Sequence, residues 1–338
     1  MIWTLRISSL SLRISRRAGW IGLGLFALLA TFSILALNLG SYPLTMAEAL
    51  RVLTGGGSDL QRLILLENRL PRVVTALGVG MAFGLSGAIF QAMMRNPLAS
   101  PDVIGFTAGA GFGALSAMVL TGAMILPGAI IGALLAAILV TALAWKNGLS
   151  PARLILTGIG ASLALSAGTD LLMSRMEIQN AAAMSQWLTG SLNARDWSDA
   201  AWVWGGLALL APMLFWLHLP LQRMAMEDAI AQGLGLALTP LRLALTAVGL
   251  LLAALAVSCA GPLPFVAFAA GPIARRMVAD GRPALLGAAA TGALITLLAD
   301  TAARLVPVIQ LPTGVFTALI GALVLIWLLL AQFRKGQF

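Results

Sequence analysis

The sequence predicts an all-α integral membrane protein with about ten transmembrane helices in one bundle and both termini cytoplasmic. Three observations carry that prediction. The chain is 60% hydrophobic and only 10% charged, with a mean hydropathy of +0.96, outside the range of soluble domains. Apolar stretches of about 20 residues recur along it, the length an α-helix needs to cross roughly 30 Å of hydrocarbon. These stretches are continuous runs of Leu, Ala and Gly, whereas a transmembrane barrel needs short segments that alternate apolar with polar residues.

Ten apolar runs follow one another. They lie at Ala18 to Leu37, Leu70 to Met93, Val103 to Leu120, Ile125 to Trp145, Leu154 to Met173, Ala200 to Leu217, Leu241 to Ala260, Leu263 to Ala274, Ala284 to Thr301, and Gly314 to Leu330. The first is preceded by Arg6, Arg13, Arg16 and Arg17 and so resembles a signal peptide. Leu37, Asn38 and Leu39 offer no small-residue cleavage site, and the run reads as a retained helix. The eighth run, bracketed by Pro262 and Arg275, is shorter than the roughly 17 residues of a full span. Charge parity retains it. With ten crossings and the N-terminus inside, fourteen of the 21 Lys and Arg fall inside and seven outside, in keeping with the positive-inside rule. The organisation is then a cytoplasmic segment 1–17, a transmembrane domain 18–333 containing a cytoplasmic polar segment 219–240, and a cytoplasmic tail 334–338.

Composition excludes several classes of function. The formal charge of +9 comes from single basic residues between apolar runs, with no patch of interleaved aromatics, so nucleic acid is not a partner. One cysteine, Cys259, and one histidine, His218, exclude a disulfide framework and a Cys/His metal cluster. No resident metal, cofactor or catalytic residue is expected. No segment matches the phosphate loop GxxxxGK[ST], so ATP hydrolysis is not expected of this chain. The 36 glycines, many within runs such as "GVGMAFGLSGAIF", predict close helix packing. A faint echo between "GAIFQAMMRNPLA" and "GPLPFVAFAAGPIA" suggests a duplicated architecture.

Three stretches hold polar residues where apolar ones are the rule. "RNPLASP" places Pro97 and Pro101 between the second and third runs, so neither helix continues through it. Arg69, Arg72 and Arg304 stand at the outer ends of spans, where few cations are expected. The stretch from Leu221 to Arg242 is the one substantial polar segment inside. It places Met226, Ala229, Ile230 and Gly233 at helical spacing, with Gly233 and Gly235 permitting a sharp turn.

The segment "RLPRVVTALGVGMAFGLSGAIFQAMMRNPLASPDVIGFTAGAG", Arg69 to Gly111, resembles the iron-siderophore and cobalamin permease family of ABC importers. So do "RLILTGIG", "WLTGSLNARDW", "AQGLGL", "GPLPFVAFAAGPIARR" and "LPTGVFTALIGA", which together cover nearly the whole chain. "SGAIFQ", "RNPLASPDVIGF" and "GSLN" are most similar to the ferric enterobactin type. The resemblance implies a permease of the bacterial inner membrane that passes an iron-siderophore from periplasm to cytoplasm. Its implied partners are separate ATP-binding subunits, a periplasmic substrate-binding protein, and a second permease, paralogous or identical. It implies that Arg69, Arg72 and Arg304 dock the binding protein. Asn96 and Leu98, faced by Ser150 and Pro151, would form the cytoplasmic gate, and Met226, Ala229, Ile230, Gly233 and Gly235 would belong to the segment that couples to the ATPase.

The chain departs from the family pattern at Gly271 and Pro272, where relatives carry a Pro-His pair, and at Ala322 and Leu323, where a proline usually follows Ala or Gly. Other readings are a cobalamin or haem importer, or an ion-coupled secondary transporter that uses Asp170 and Asp300. Asp300 has a further expected role, pairing with Arg304 one helical turn away. A serine-histidine dyad of Ser86 and His218 would make the chain an intramembrane protease, but the expected topology sets the two far apart.

Overall fold

The computed structural model describes residues 2–7, 10–40, 42–122, 124–146, 148, 150–224, 226, 228–279, 282–306 and 311–333. The expected tail 334–338 lies outside them. All ten apolar runs form helices. A hairpin of β1 (Ile2–Ile7) and β2 (Leu10–Ser15), paired antiparallel from Ile2 against Ser15, precedes α1 (Arg16–Asn38). Two short helices follow, α2 (Met46–Leu53) and α3 (Asp59–Arg62), and then a π-helical stretch at Leu63–Arg69 enters α4 (Leu70–Met93). A 3-10 turn at Pro101–Ile104 leads to the hairpin of α5 (Phe106–Thr121) and α6 (Ile125–Ala144). Next come α7 (Pro151–Met173), α8 (Ile178–Thr189), α9 (Trp197–Met224) and α10 (Asp228–Gly233). The chain closes with α11 (Leu238–Ala260), α12 (Val266–Val278), α13 (Leu285–Leu305) and α14 (Thr313–Phe333).

Eight of these helices are long and apolar enough to cross a membrane. The third and eighth runs form shorter helices, α5 with 16 residues and α12 with 13. The third run was expected to be helical from Val103; Gly105, at φ 76°, breaks the chain there, and α5 starts one residue later.

Helix α4 is the axis of the bundle, packed against α9, α11, α12 and α13. Glycine makes those approaches possible. A Cβ added to Gly84 would lie 2.2 Å from the Ala288 carbonyl oxygen of α13, and one added to Gly87 would lie 1.8 Å from the Ala267 carbonyl oxygen of α12. Both distances are shorter than any real contact, so backbone meets backbone only because side chains are missing. Helices α1, α7, α9 and α14 line the outside and leave most of their apolar surface exposed, as expected where lipid or another apolar surface replaces water.

The loop between α1 and α4 folds through signals legible in sequence. Thr45 and Glu48 form a capping box at the start of α2, and Ser58 and Gln61 form another at α3. Leu44, Ala49, Val52 and Leu65 bury a small apolar cluster beneath them.

Candidate functional site

At one end of the bundle, α4 and α13 bring Arg72 and Arg304 to one carboxylate, with Arg69 at the end of the π-helical stretch nearby. Asp300, fully buried, accepts from Arg72 Nη2 at 2.8 Å and from its Nε at 3.1 Å, and lies 3.3 Å from Arg304 Nε. Thr313 Oγ1 donates to the same carboxylate at 3.1 Å, and Arg72 Nη1 reaches Asn193 Oδ1 at 3.0 Å. The expected pair of Asp300 and Arg304 is present, but Arg72 is the better-aligned partner. Arg304 Nη1 donates to Ala36 O at 3.3 Å, while its Nη2 is buried without an acceptor among the described residues. Arg69 donates to the carbonyls of Leu37 at 2.8 Å, Asn38 at 3.2 Å, and Tyr42. It thereby satisfies the last carbonyls of α1, which have no partner within the helix. All three arginines are turned inward, and Arg69 and Arg72 are each only 6% exposed.

The "GSLN" stretch knits this end together, a role that sequence reading did not assign. Ser191 N donates to Ala260 O at 2.8 Å, Gly314 N to Gly190 O at 3.0 Å, and Leu192 N to Thr313 Oγ1 at 3.4 Å. Gly190, at φ 80°, lets the chain pass so close to the Pro262 carbonyl that a Cβ would sit 2.1 Å from it.

At the opposite end lie the residues read as gate and coupling element. The side chain of Asn96 accepts the Leu98 N–H at 2.9 Å, an Asx turn that fixes the loop after α4. Ser150 stands at the N-cap of α7, where its carbonyl accepts the Leu154 N–H at 3.0 Å, and Pro151 is the first helical residue; the side chain of Pro151 lies outside the described residues. The chain beyond Leu98 meets α7 further along than Ser150: a Cβ on Gly105 would lie 3.3 Å from Ser162 Oγ and 3.5 Å from Gly158 O. Met226, Ala229, Ile230, Gly233 and Gly235 are all exposed, as is Leu234, so the apolar face of α10 points away from the bundle. Ala231, on its other face, is buried. Gly235, at φ 82°, ends the helix in the left-handed conformation that glycine adopts without strain.

Asp228, the first residue of α10, accepts from Arg242 Nη2 at 2.8 Å and also from Arg95. Burial raises its carboxyl pKa, but the hydrogen bond and charge of Arg242, together with Arg95, outweigh that, and the net shift is downward.

Between the two ends, α5 and α12 both begin inside the bundle, and their starts share one cavity of about 420 Å³. Ser100, Asp102 and Thr107 line it from the first break, Ser162 from α7, and Pro262 to Phe265 from the second. The departure at Gly271 and Pro272 is explained beside it. Proline has no N–H, so the Phe268 carbonyl one turn earlier loses its helical donor. Gln91 Nε2 of α4 supplies one at 3.0 Å, and its Oε1 accepts from Arg275 Nη2 at 3.2 Å. The other departure, Ala322–Leu323, leaves α14 unbroken. The protease dyad is excluded, since Ser86 Oγ donates to Gly249 O at 2.6 Å and His218 bonds Gln222.

A helical bundle that spans the membrane many times, with broken helices meeting in its middle and a short amphipathic helix projecting from one end, has the architecture of a transport permease. The chain belongs to the FecCD transport family, whose pattern matches residues 28–331. It is 39% identical over 324 residues to the achromobactin transport system permease protein of Dickeya dadantii, covering 93% of this chain and 92% of that protein. Identity is also 39% over 309 residues with the ferric enterobactin transport system permease protein of Escherichia coli, covering 89% and 93%. Among solved structures, an inward-facing metal-chelate type ABC transporter superposes with a TM-score of 0.82 at 28% identity, covering 91% of this chain and 97% of that one.

Proposed function

We propose that this chain is the permease subunit of an ABC importer that carries an iron-siderophore complex from periplasm to cytoplasm across the bacterial inner membrane. The carrying observation is the match to the FecCD family over residues 28–331, with relatives of similar length whose names are those of siderophore permeases. The end that holds Arg95 and α10 then faces the cytoplasm, the assignment favoured by the distribution of Lys and Arg.

The driving ATPase is a separate subunit. Its docking point is α10 with the residues that flank it: the exposed Ile230 on the helix, with Met226 before it and Leu234 after it, offers the kind of apolar face that fills a groove on a partner. A second permease completes the assembly, with substrate passing between the two. At the periplasmic end, Arg72 and Arg304 share one carboxylate and Arg69 bonds neutral carbonyls, which leaves uncompensated positive charge and supports docking of a binding protein that presents acidic residues. Because these arginines are already bonded inward, docking through them requires that Arg72 and Arg304 exchange Asp300 for carboxylates of the binding protein. An ion-coupled carrier draws little support. Asp300 is held in the arginine cluster, which leaves Asp170 as the only one of the two expected acids without that commitment.

The test is clean deletion of the gene, with uptake of radiolabelled ferric catecholate and hydroxamate siderophores, haem and cobalamin measured with and without a plasmid copy. Loss confined to ferric siderophores and restored by the plasmid is expected. Loss confined to haem or cobalamin would reassign the cargo. Normal uptake of all of them, from a host without a second system, would refute the importer.

A further inference from the structure

The ion bridge at Asp228 joins α10 and α11 to the end of α4, 133 positions earlier in the chain. Arg95 follows the last turn of α4 and immediately precedes Asn96, the residue whose side chain shapes the turn to Leu98. Asp228 opens α10, and Arg242 lies just past the first turn of α11. One carboxylate oxygen holds Arg95 and the other holds Arg242.

Two features define what this bridge does. Arg95 has φ 51°, a left-handed conformation that costs a side-chain-bearing residue about 1–2 kcal/mol. The cause is local: Arg95 ends α4 in a Schellman motif, its N–H donating to Ala92 O at 3.3 Å and that of Asn96 to Gln91 O at 3.1 Å, and from this fixed position the Arg95 side chain has its ion-pair partner on α10. Conversely, the Arg95 and Asp228 side chains are 34% and 45% exposed, and exposed ion pairs contribute only about 0–1 kcal/mol to stability. The Arg95 half of the bridge therefore adds little to stability while it ties α10 to the loop after α4; the Arg242 half is less exposed, the Arg242 side chain being 12% exposed. The start of α11 touches the other loop as well, since a Cβ on Gly148, between α6 and α7, would lie 3.3 Å from Thr239 Oγ1.

We infer that Asp228 is the positioning residue through which a displacement of α10 reaches the Asn96–Leu98 turn, its two oxygens clamping Arg95 and Arg242 so that the coupling helix and the gate loop move together. This rests on the permease reading above and adds the route by which the ATPase acts on the gate. When nucleotide binding shifts α10, the carboxylate draws Arg95, and with it the turn that Asn96 organises. Without the carboxylate, α10 still docks by its apolar face, which does not include Asp228, but the gate loop no longer follows.

The experiment uses the whole importer, purified with its ATPase and second permease and reconstituted in proteoliposomes with its binding protein. ATP hydrolysis and entry of radiolabelled ferric enterobactin and ferric achromobactin are measured in parallel. The diagnostic quantity is substrate carried per ATP hydrolysed, which a simple loss of folding or docking does not change. Asp228→Asn is expected to keep its hydrolysis and lower that ratio by about tenfold. Asp228→Glu, which keeps the charge, should recover most of it. Arg95→Gln should match Asp228→Asn, and the double variant should be no worse than either, as for two ends of one link. An unchanged ratio in both Asp228→Asn and Arg95→Gln would overturn the inference, as would Asp228→Glu failing as badly as Asp228→Asn. If Asp228→Asn does not assemble, Arg95→Gln decides alone. Should the unmodified assembly hydrolyse no ATP and carry neither chelate, it is the permease reading that fails, and the inference with it.

Discussion

Replacing Gln91 by Leu removes one amide from the middle of the bundle, and its consequence can be worked out from the bonds that amide makes. Gln91 is fully buried. It donates to Phe268 O at 3.0 Å and accepts from Arg275 Nη2 at 3.2 Å. Pro272 cannot donate to Phe268 O, so in the variant that carbonyl is left buried and bare, at a cost of about 1–3 kcal/mol. Losing the charge-assisted bond from Arg275 adds to this, and the two together amount to about 2–4 kcal/mol, since bonds made by one side chain are not independent. Leu fills nearly the same volume, so no large cavity adds to the loss.

The assay is equilibrium unfolding of the purified permease in detergent, with Pro272→Ala as the second arm of a double-mutant cycle. Alanine restores an N–H to α12 one turn after Phe268. In the Gln91→Leu background it should therefore recover about 1–2 kcal/mol, an interaction of the size found between contacting residues. Gly271→Ala gives an independent check. A Cβ there would fall 2.0 Å from Gln91 Oε1, so it should evict the amide and destabilise nearly as much as Gln91→Leu, yet cost far less once Gln91 is already Leu. If the effects of Gln91→Leu and Pro272→Ala simply add, Gln91 is not replacing the missing donor and the reasoning is refuted.

Asp300→Asn should destabilise the bundle by about 3–5 kcal/mol, because it leaves two buried arginines without a counter-charge, and by more than Arg304→Gln, which leaves Asp300 its Arg72 partner; the same unfolding assay ranks the two. Arg69→Ala should uncap the end of α1 and loosen the loop that Arg69 holds through Tyr42, seen as faster limited proteolysis between residues 40 and 62 with the rest of the chain unchanged. The Asp228 carboxyl is held below its ordinary value of 3.8. Whatever stability the bridge contributes is therefore fully present at neutral pH and lost only as pH falls through the lowered value; the gap in stability between the unmodified chain and Asp228→Asn should stay constant down to the ordinary carboxylate range and close below it.

Much of this architecture was legible in the sequence because the bilayer imposes a strong length rule. The apolar runs located every long helix, and the two prolines of "RNPLASP" located the break before α5. What escaped detection depended on pairings distant in sequence. The partner of Asp300 one turn away was visible at helical spacing; the partner 228 positions away, Arg72, was not. The partner that completes Gly271 and Pro272, Gln91 on α4, is likewise distant in sequence. The capping boxes of α2 and α3 were a missed opportunity rather than an invisible feature. "TMAE" and "SDLQ" carry the S/T-x-x-E/Q pattern openly, in a loop that attention to apolar runs passes over.

The short eighth run shows how a weak signal acquires physical meaning. Length alone left it ambiguous, and parity of charge was the only argument for counting it. In the structure Pro262, Leu263 and Pro264, at the start of this run, enter the bundle outside any helix. Such backbone is tolerated at membrane depth only where protein or a cavity covers it. Both conditions hold. Gly261 lies against Trp187 and Gly190, Phe265 packs into the space left by Gly321, and Pro262 to Phe265 line the cavity shared with the break before α5. Helix α12 is short because it begins only after this non-helical segment, at Val266. A helix continued back through Pro262 to Phe265 would place helical backbone where these residues line the cavity, whereas the helix that does form puts Phe268 O within reach of Gln91 Nε2, which makes good the hydrogen bond that Pro272 cannot supply.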